Sequence, residues 1–225
     1  MVTKMFAEVK RKKKRILIVE DHPIVRQGLR WLIGQEPDLE ICDEVEDVRG
    51  ALRSIKSTCP DLVMIDISLK GGNGIELIKQ IKATGSSVKM LVSSIHDESV
   101  YAERALRAGS MGYINKQQAT DKIIQAIRTI LADRIYLSEP MADRLRDRLQ
   151  DGTEAEDSLV DVLSDRELEV FEMMGQGLSS HQIADKLYRS IKTIESHREH
   201  IKDKLNIDNT VDLFYRAIHW VKEGK

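Results

Sequence analysis

Four short apolar runs, each leading to residues with polar chemistry, set the pattern of the first half of the chain. Ile16-Leu17-Ile18-Val19 leads into Glu20 and Asp21, and Leu62-Val63-Met64-Ile65 into Asp66. Met90-Leu91-Val92 leads into Ser93 and Ser94, and Tyr113-Ile114 towards Lys116. Runs this short and this uniformly apolar predict strands buried on both faces. Segments of helical period separate them. Pro23 suits the first turn of a helix carrying Ile24, Val25, Leu29, Leu32 and Ile33. Further helices are predicted over residues 48–57, 75–83, 98–108 and 119–131, with a weaker strand at 40–43. Gly71-Gly72-Asn73-Gly74 breaks the chain before the third helix, and Gly109 ends the fourth. Strands alternating with helices imply a parallel sheet covered on both faces.

Beyond residue 132 the pattern turns wholly helical. Ser138 can cap a helix with Pro140 in its first turn and Met141, Leu145 and Leu149 as its seam. The acidic stretch 151–157, with Gly152, reads as a flexible tether. Ser164-Asp165-Arg166-Glu167 and Ser179-Ser180-His181-Gln182 are capping-box signatures, and Gly175-Gln176-Gly177 ends the first of the two helices. Ser190 can cap a third. Two short helices around a tight turn suggest a helix-turn-helix. On the helix over residues 192–205, Ile194, Ile201 and Leu205 share one stripe, with His197 at its margin. Lys192, Glu195, Ser196, Glu199 and Asp203 fall broadly opposite, a polar face of the kind a recognition helix turns to the major groove. The last helix, over residues 210–221, carries two apolar stripes. One is Val211, Phe214, Ile218 and Val221; the other is Leu213, Ala217 and Trp220. A surface helix needs one stripe for its own core, so the second points to a partner subunit or a two-sided local core.

Composition adds bounds. A length of 225 residues suits two domains, and 41% apolar residues suffice for packed cores. Aromatics are only 4%, so Ile, Leu, Val and Met must fill them. The net charge of −2 argues neither for nor against nucleic acid, although Lys186, Arg189, Lys192, Arg198, Lys202 and Lys204 make the recognition-helix region locally basic. Cys42 and Cys59 form neither a metal-type pair nor a disulfide framework and read as small buried or semi-buried thiols of a reducing cytosol. The basic block from Lys10 to Arg15 is followed by no secretory pattern, and no apolar run could span a bilayer.

In an open parallel sheet the strand carboxyl ends share one edge, where ligands bind. That edge would gather Glu20, Asp21, Asp66, Ser94 and Lys116. Magnesium takes hard oxygens and keeps several waters, so these few carboxylates suffice to hold Mg²⁺. Asp66, ending a central apolar strand, is the candidate nucleophile and can accept a phosphoryl group as a mixed anhydride. Lys116 would neutralise phosphoryl oxygens and Ser94 would donate a hydrogen bond to them. Each residue alone has a plain structural reading, as a helix cap or a solvated lysine; the joint placement is what carries specificity.

Glu20-Asp21-His22, Asp66 followed by Gly74, Ser94, and Gly112-Tyr113-Ile114-Asn115-Lys116 resemble the receiver domain of bacterial two-component response regulators. The resemblance covers residues 15–131 and implies a flavodoxin-like, doubly wound α/β fold with a five-stranded parallel sheet. It implies that Asp66 accepts phosphate from a sensor histidine kinase and that Glu20, Asp21, Asp66 and the Ser68 main-chain carbonyl organise Mg²⁺. It makes Ser94 and Tyr113 a switch pair and brings Lys116 to the phosphoryl group. Lys70 stands where such receivers usually carry Pro, which implies altered kinetics. Ser68 and His96 sit where family side chains flank the path of hydrolytic water, and they are expected to tune the lifetime of the phosphorylated state. Two other classes stay open. A phosphohydrolase of the haloacid dehalogenase type needs an Asp two residues after the nucleophile, where this chain has Ser68. A receiver-like module working without phosphate is favoured slightly by Lys70 and opposed by the intact acidic set.

Leu163-Ser164-Asp165-Arg166-Glu167-Leu168-Glu169-Val170, Gly177-Leu178-Ser179, Ile183-Ala184, Lys192-Thr193-Ile194-Glu195-Ser196-His197 and Lys204-Leu205 resemble the LuxR-type helix-turn-helix, and the whole chain resembles the NarL/FixJ subfamily. The organisation expected is a basic lead (1–14), receiver (15–131), linker with a helix (132–161) and a four-helix all-α DNA-binding domain (162–225). The resemblance implies that Glu195, Ser196 and Glu199 face bases, and that Lys192 and Thr193 lie near the DNA backbone; Lys202 joins that contact set. Arg198 is expected to pack its stem and pair its head with Glu167 or a phosphate, and His197 to be structural. The last helix would pair DNA-bound subunits through Leu213, Ala217 and Trp220. The function implied is a cytoplasmic, non-enzymatic transcription factor. Its partners would be a sensor kinase, double-stranded DNA, a second copy of itself and RNA polymerase, with no membrane contact.

Overall fold

The chain runs β1 (Lys14–Val19), α1 (Pro23–Gly34), β2 (Leu39–Val45), α2 (Val48–Thr58), β3 (Leu62–Ile65), β4 (Ser68–Leu69), β5 (Gly72–Asn73), α3 (Gly74–Ala83), β6 (Lys89–Ser94), α4 (Glu98–Ala108), β7 (Tyr113–Asn115), α5 (Thr120–Leu131), α6 (Glu139–Asp151), α7 (Asp165–Gly175), α8 (Ser180–Lys186), α9 (Ile191–Leu205) and α10 (Thr210–Lys222). This computed structural model describes residues 12–118, 120–151 and 162–222. Most of the basic lead, the greater part of the acidic tether and the Leu149 side chain lie outside them.

Five strands form a parallel sheet in the order β2-β1-β3-β6-β7. The alternation of a strand sends neighbouring side chains to opposite faces. Ile16, Ile18, Leu62, Met64, Leu91 and Ile114 therefore meet α1 and α5, whereas Leu17, Val19, Val63, Ile65, Met90 and Val92 meet α2, α3 and α4. All four residues of β3 are buried, which corresponds to roughly 6–12 kcal/mol of gross apolar transfer before chain entropy is subtracted. The two-residue strands β4 and β5 form a small antiparallel hairpin that the sequence pattern does not announce.

Of the apolar residues that α1 carries, Ile24 faces solvent at 81% exposure, because helical period places Leu29 and Ile33 inward instead. One expectation, on the cysteines, needs correction here. Cys59 is an exposed C-cap in left-handed conformation rather than a buried thiol, and only Cys42 is partly covered, its Sγ donating to the Ile16 carbonyl.

The C-terminal helices α7 to α10 pack around Leu168, Phe171, Met174, Ile183, Ile194, Ile201, Leu213 and Ala217. Gly175 is required where α7 meets α10, since a Cβ there would stand 2.3 Å from the Ala217 carbonyl oxygen. The start of α7, the residues just before it and the segment between α8 and α9 dock on the receiver through polar contacts. Lys79 and Arg104 reach Asp165, Arg104 also donates to the Leu163 carbonyl, and Arg189 donates to the Gly71 carbonyl.

Candidate functional site

The ends of β1, β3, β6 and β7 place the predicted residues together. The ladder continues one step past each strand. The Glu20 amide donates to the Val45 carbonyl, the Asp66 amide to Val19 and the Lys116 amide to Ser94. The residues just past the apolar runs are thereby fixed to their neighbours before any side-chain contact is made. Gly74 is needed just beneath, because a Cβ there would lie 2.0 Å from the Asp66 carbonyl oxygen.

Glu20, Asp21 and Asp66 are all buried and offer oxygens within 4.8 Å of one another, with His22 at the rim. Lys116 Nζ bridges Glu20 at 2.6 Å and Asp66 at 2.8 Å. Burial pushes the Asp66 carboxyl up to about 6 despite Lys116, and it raises Asp21 as well. Burial alone would lower the Lys116 ammonium, but Asp66 and Glu20 outweigh it and raise its pKa. Three carboxylates against one ammonium would leave two negative charges, the complement of a divalent cation. Asp21 Oδ1 is buried and accepts no hydrogen bond; His22 Nδ1 comes within 2.8 Å of it but directs its bond to Glu20. An all-oxygen set with an orphaned buried acceptor fits Mg²⁺.

Ser94 is fully buried and its Oγ accepts from the His96 amide at 3.3 Å. The Tyr113 ring is also buried, its hydroxyl donating to the His96 carbonyl at 2.9 Å. Burial pushes that phenol far above its usual value. Ser68 sits half-buried in β4, beside the site. Lys70 is paired with Glu46 and lies 6.0 Å from the centre of the Tyr188 ring, at the domain boundary, and its charge still reaches Asp21, whose carboxyl pKa it acts to lower.

Two glutamates at this edge escaped the sequence reading. Glu169 and Glu172 of α7 are buried, and Ser68 Oγ donates to Glu169 Oε1 at 2.6 Å. Asn73 and Arg166 also donate to Glu169. His96 Nδ1 is 2.7 Å from Glu172 Oε2, which also accepts from the Tyr101 hydroxyl at 2.9 Å. His96 Nε2 in turn lies 3.0 Å from Ser68 Oγ. The Ser68 proton is directed at Glu169, so Ser68 accepts from His96, and the Glu172 carboxylate accepts from the other ring nitrogen. In that arrangement both ring nitrogens face acceptors, and the imidazole pKa is raised because Glu172 overcomes the lowering effect of burial. The signal for the two glutamates was available only as charged positions flanking the apolar residues of α7.

On α9, Lys192, Ser196 and Glu199 are exposed, and the docked receiver leaves this polar face open. Thr193 Oγ1 is 2.8 Å from Ser190 Oγ at the helix cap. Glu195 receives Arg198, and Lys202 reaches Glu199 at 2.8 Å. Arg198 does not pair with Glu167. It binds Ser180 and Glu195 and stacks 5.1 Å over Phe214, while Glu167 is taken by Lys204 and the Ser164 amide. His197 is half-buried, and burial lowers its pKa. The dimerisation set also needs correction. Leu213 and Ala217 are 0% exposed and fill the core of their own domain, and Trp220 packs on Phe171 with ring centroids 5.6 Å apart. The outward apolar side of α10 is Val211 and Tyr215.

Residues 16–128 match the response regulator receiver domain, and residues 161–217 match the bacterial regulatory proteins of the luxR family. The Fimbriae Z protein of Escherichia coli is 31% identical over 202 residues, covering 90% of this chain and 95% of the relative. The transcriptional regulatory protein UhpA of Salmonella typhimurium is 32% identical over 201 residues, covering 89% and 96%. Among solved structures, RcsB from Salmonella enterica serovar Typhimurium, bound to promoter rprA in the presence of phosphomimetic BeF3⁻, superposes with a TM-score of 0.61 at 27% identity, over 92% of this chain and 99% of that one.

Proposed function

Because the chain belongs to the response regulators, joining a receiver to a LuxR-type DNA-binding domain, we propose that Asp66 accepts a phosphoryl group from a sensor histidine kinase and that the adduct switches dimerisation and sequence-specific DNA binding. The observation that carries this reading is the buried acidic cluster with Lys116 bridging Asp66 and Glu20.

In the transfer, an Asp66 carboxylate oxygen attacks phosphorus. The bond from phosphorus to the kinase imidazole breaks, and the imidazole leaves with the electron pair. Hydrolysis returns the carboxylate when water attacks and the phosphorus–oxygen bond to Asp66 breaks. Lys116 stays charged beside Asp66 and neutralises phosphoryl oxygens, while the Ser94 hydroxyl donates to them. Glu20, Asp21, Asp66 and the Ser68 carbonyl would hold Mg²⁺, which supplies further neutralisation of developing charge. The chain turns over no separate substrate in this reading. The position where a phosphohydrolase needs its acid is Ser68, whose hydroxyl is engaged by Glu169.

The target is double-stranded DNA, read by Glu195, Ser196 and Glu199 and gripped at its backbone by Lys192, Thr193 and Lys202. The open face of α9 and the DNA-bound RcsB structure support this. Dimers form on DNA through the Val211–Tyr215 side of α10, and RNA polymerase is the further partner at a promoter. A DNA target supports a cytoplasmic location. Among the described residues no helix is long and apolar enough to cross a membrane.

Intact-mass measurement after incubation with a small phosphodonor and Mg²⁺ tests the central claim. One labile phosphoryl adduct is expected, absent in Asp66→Asn. An unmodified wild-type chain would overturn it.

A further inference from the structure

The hydrogen bond between His96 and Ser68 joins the hairpin after β3 to the loop after β6, the two segments that rim Asp66. Neither end of this bar is held by the receiver alone. Ser68 is tied to Glu169, and His96 to Glu172, both carboxylates coming from α7 of the C-terminal domain. On the basis that Asp66 is the phosphoacceptor, we propose that Glu169 and Glu172 are positioning residues for its chemistry: they clamp Ser68 and His96 across the mouth of the site, so that α7 sets the rate of phosphoryl uptake.

Two arguments favour this over simple domain docking. Asp165, at the start of the same helix, already supplies a docking contact with Lys79 and Arg104. Two further carboxylates buried at 0% and 2% exposure are a costly way to add affinity, because each must recover its lost hydration from partners. Those partners include the two side chains that flank Asp66. Electrostatics point the same way. A phosphoryl group of about −1.5 to −2 charge replaces the single charge of the Asp66 carboxylate, so the site gains up to about one negative charge. Arg166 is bound to Glu169 and His96 to Glu172, so the clamp holds both side chains on α7. The closed bar and an incoming phosphoryl group compete for the same rim of Asp66, and by linkage whatever loosens the clamp favours uptake.

The test uses the full chain, a small phosphodonor and Mg²⁺, with adduct formation followed by intact mass. Glu172→Gln keeps the shape of the side chain but weakens a charge-assisted bond. It is expected to raise the initial rate about ten-fold, the factor one weakened bond of this kind represents, at unchanged final stoichiometry. Glu169→Gln acts in the same direction. In a His96→Ala background, where the bar is already absent, Glu172→Gln is expected to add nothing. Equal rates in all variants would overturn the clamp, and so would an effect of Glu172→Gln that persists in full without His96, the result expected of docking alone. A chain that takes up phosphate in no variant overturns the reading of Asp66 itself, and the clamp with it.

Discussion

Lys79 Nζ lies 2.6 Å from Oδ2 of Asp165, a contact between the receiver's third helix and the first turn of the output domain. Burial alone would raise the Asp165 carboxyl, but Lys79 and Arg104 outweigh it and hold it below its ordinary value. A depressed pKa means that the docked form gains stability from this acid above the usual carboxylate range. That contribution is lost as pH falls through the depressed value, from about pH 4 downwards. Lys79→Ala should weaken docking by about 1–2 kcal/mol, a figure kept low because half of the Lys79 side chain faces water. Small-angle scattering would report it. The radius of gyration should rise at milder acidity in the variant than in the wild type, and identical profiles would remove the assigned role.

The acidic cluster predicts a response to divalent cations. Asp21 Oδ1 has no hydrogen-bond donor, and Asp66 is raised by burial, so bound Mg²⁺ relieves strain present in the metal-free fold. At ten times the dissociation constant, linkage gives about 1.4 kcal/mol, or a shift of about 3–6 °C in melting temperature for the receiver. Chelation should reverse it. Asp21→Asn should abolish most of the shift and raise the metal-free melt, because it removes one of the crowded buried charges, and calorimetry with and without Mg²⁺ would show whether it does.

Much of this arrangement was legible in the sequence because fully buried parallel strands leave an unmistakable mark. Residues 16–19, 62–65 and 90–92 are apolar at every position, and the polar residues next to their carboxyl ends must share one edge of the sheet. The parts that were not legible have physical reasons. A pairing of two residues with two, as in β4 and β5, has no periodicity to detect. Glu169 and Glu172 look like the solvated face of a helix, because their partners Ser68 and His96 lie 101 and 76 positions away. The two stripes of α10 could not reveal which one faced inward. That depended on Gly175 letting α7 approach closely enough to enclose Ala217.

The two sides of α10 therefore separate stability from association. Leu213 is wholly buried, so Leu213→Ala should cost about 2–5 kcal/mol and lower the melting temperature of the output domain. Tyr215 is 70% exposed, so Tyr215→Glu should change stability by no more than about 0.5 kcal/mol. It should nevertheless weaken pairing on DNA, since it sets a charge on the remaining apolar side. Sedimentation of the phosphorylated chain with a promoter fragment would distinguish them. Unaltered stoichiometry with Tyr215→Glu would move the dimer contact elsewhere.

On α9 the contacts divide by what they read. Lys192 is exposed at the first turn, in place to meet a phosphate, and its loss should weaken binding equally on specific and random DNA. The slope of log affinity against log salt should fall by about one for that single contact. Ser196 and Glu199 are exposed on the same face, and neither can bind a phosphate by charge attraction. Glu199 is already paired with Lys202 in the free chain, so base contact requires that ion pair to open or to be shared. Glu199→Ala should therefore relax sequence preference at one base position, by about 1–3 kcal/mol of discrimination, and leave the salt slope almost unchanged. Fluorescence anisotropy titrations at several salt concentrations, on a selected site and its single-base variants, measure both quantities. A Glu199→Ala protein that loses salt dependence but keeps its preference would reverse the roles assigned to the two residues.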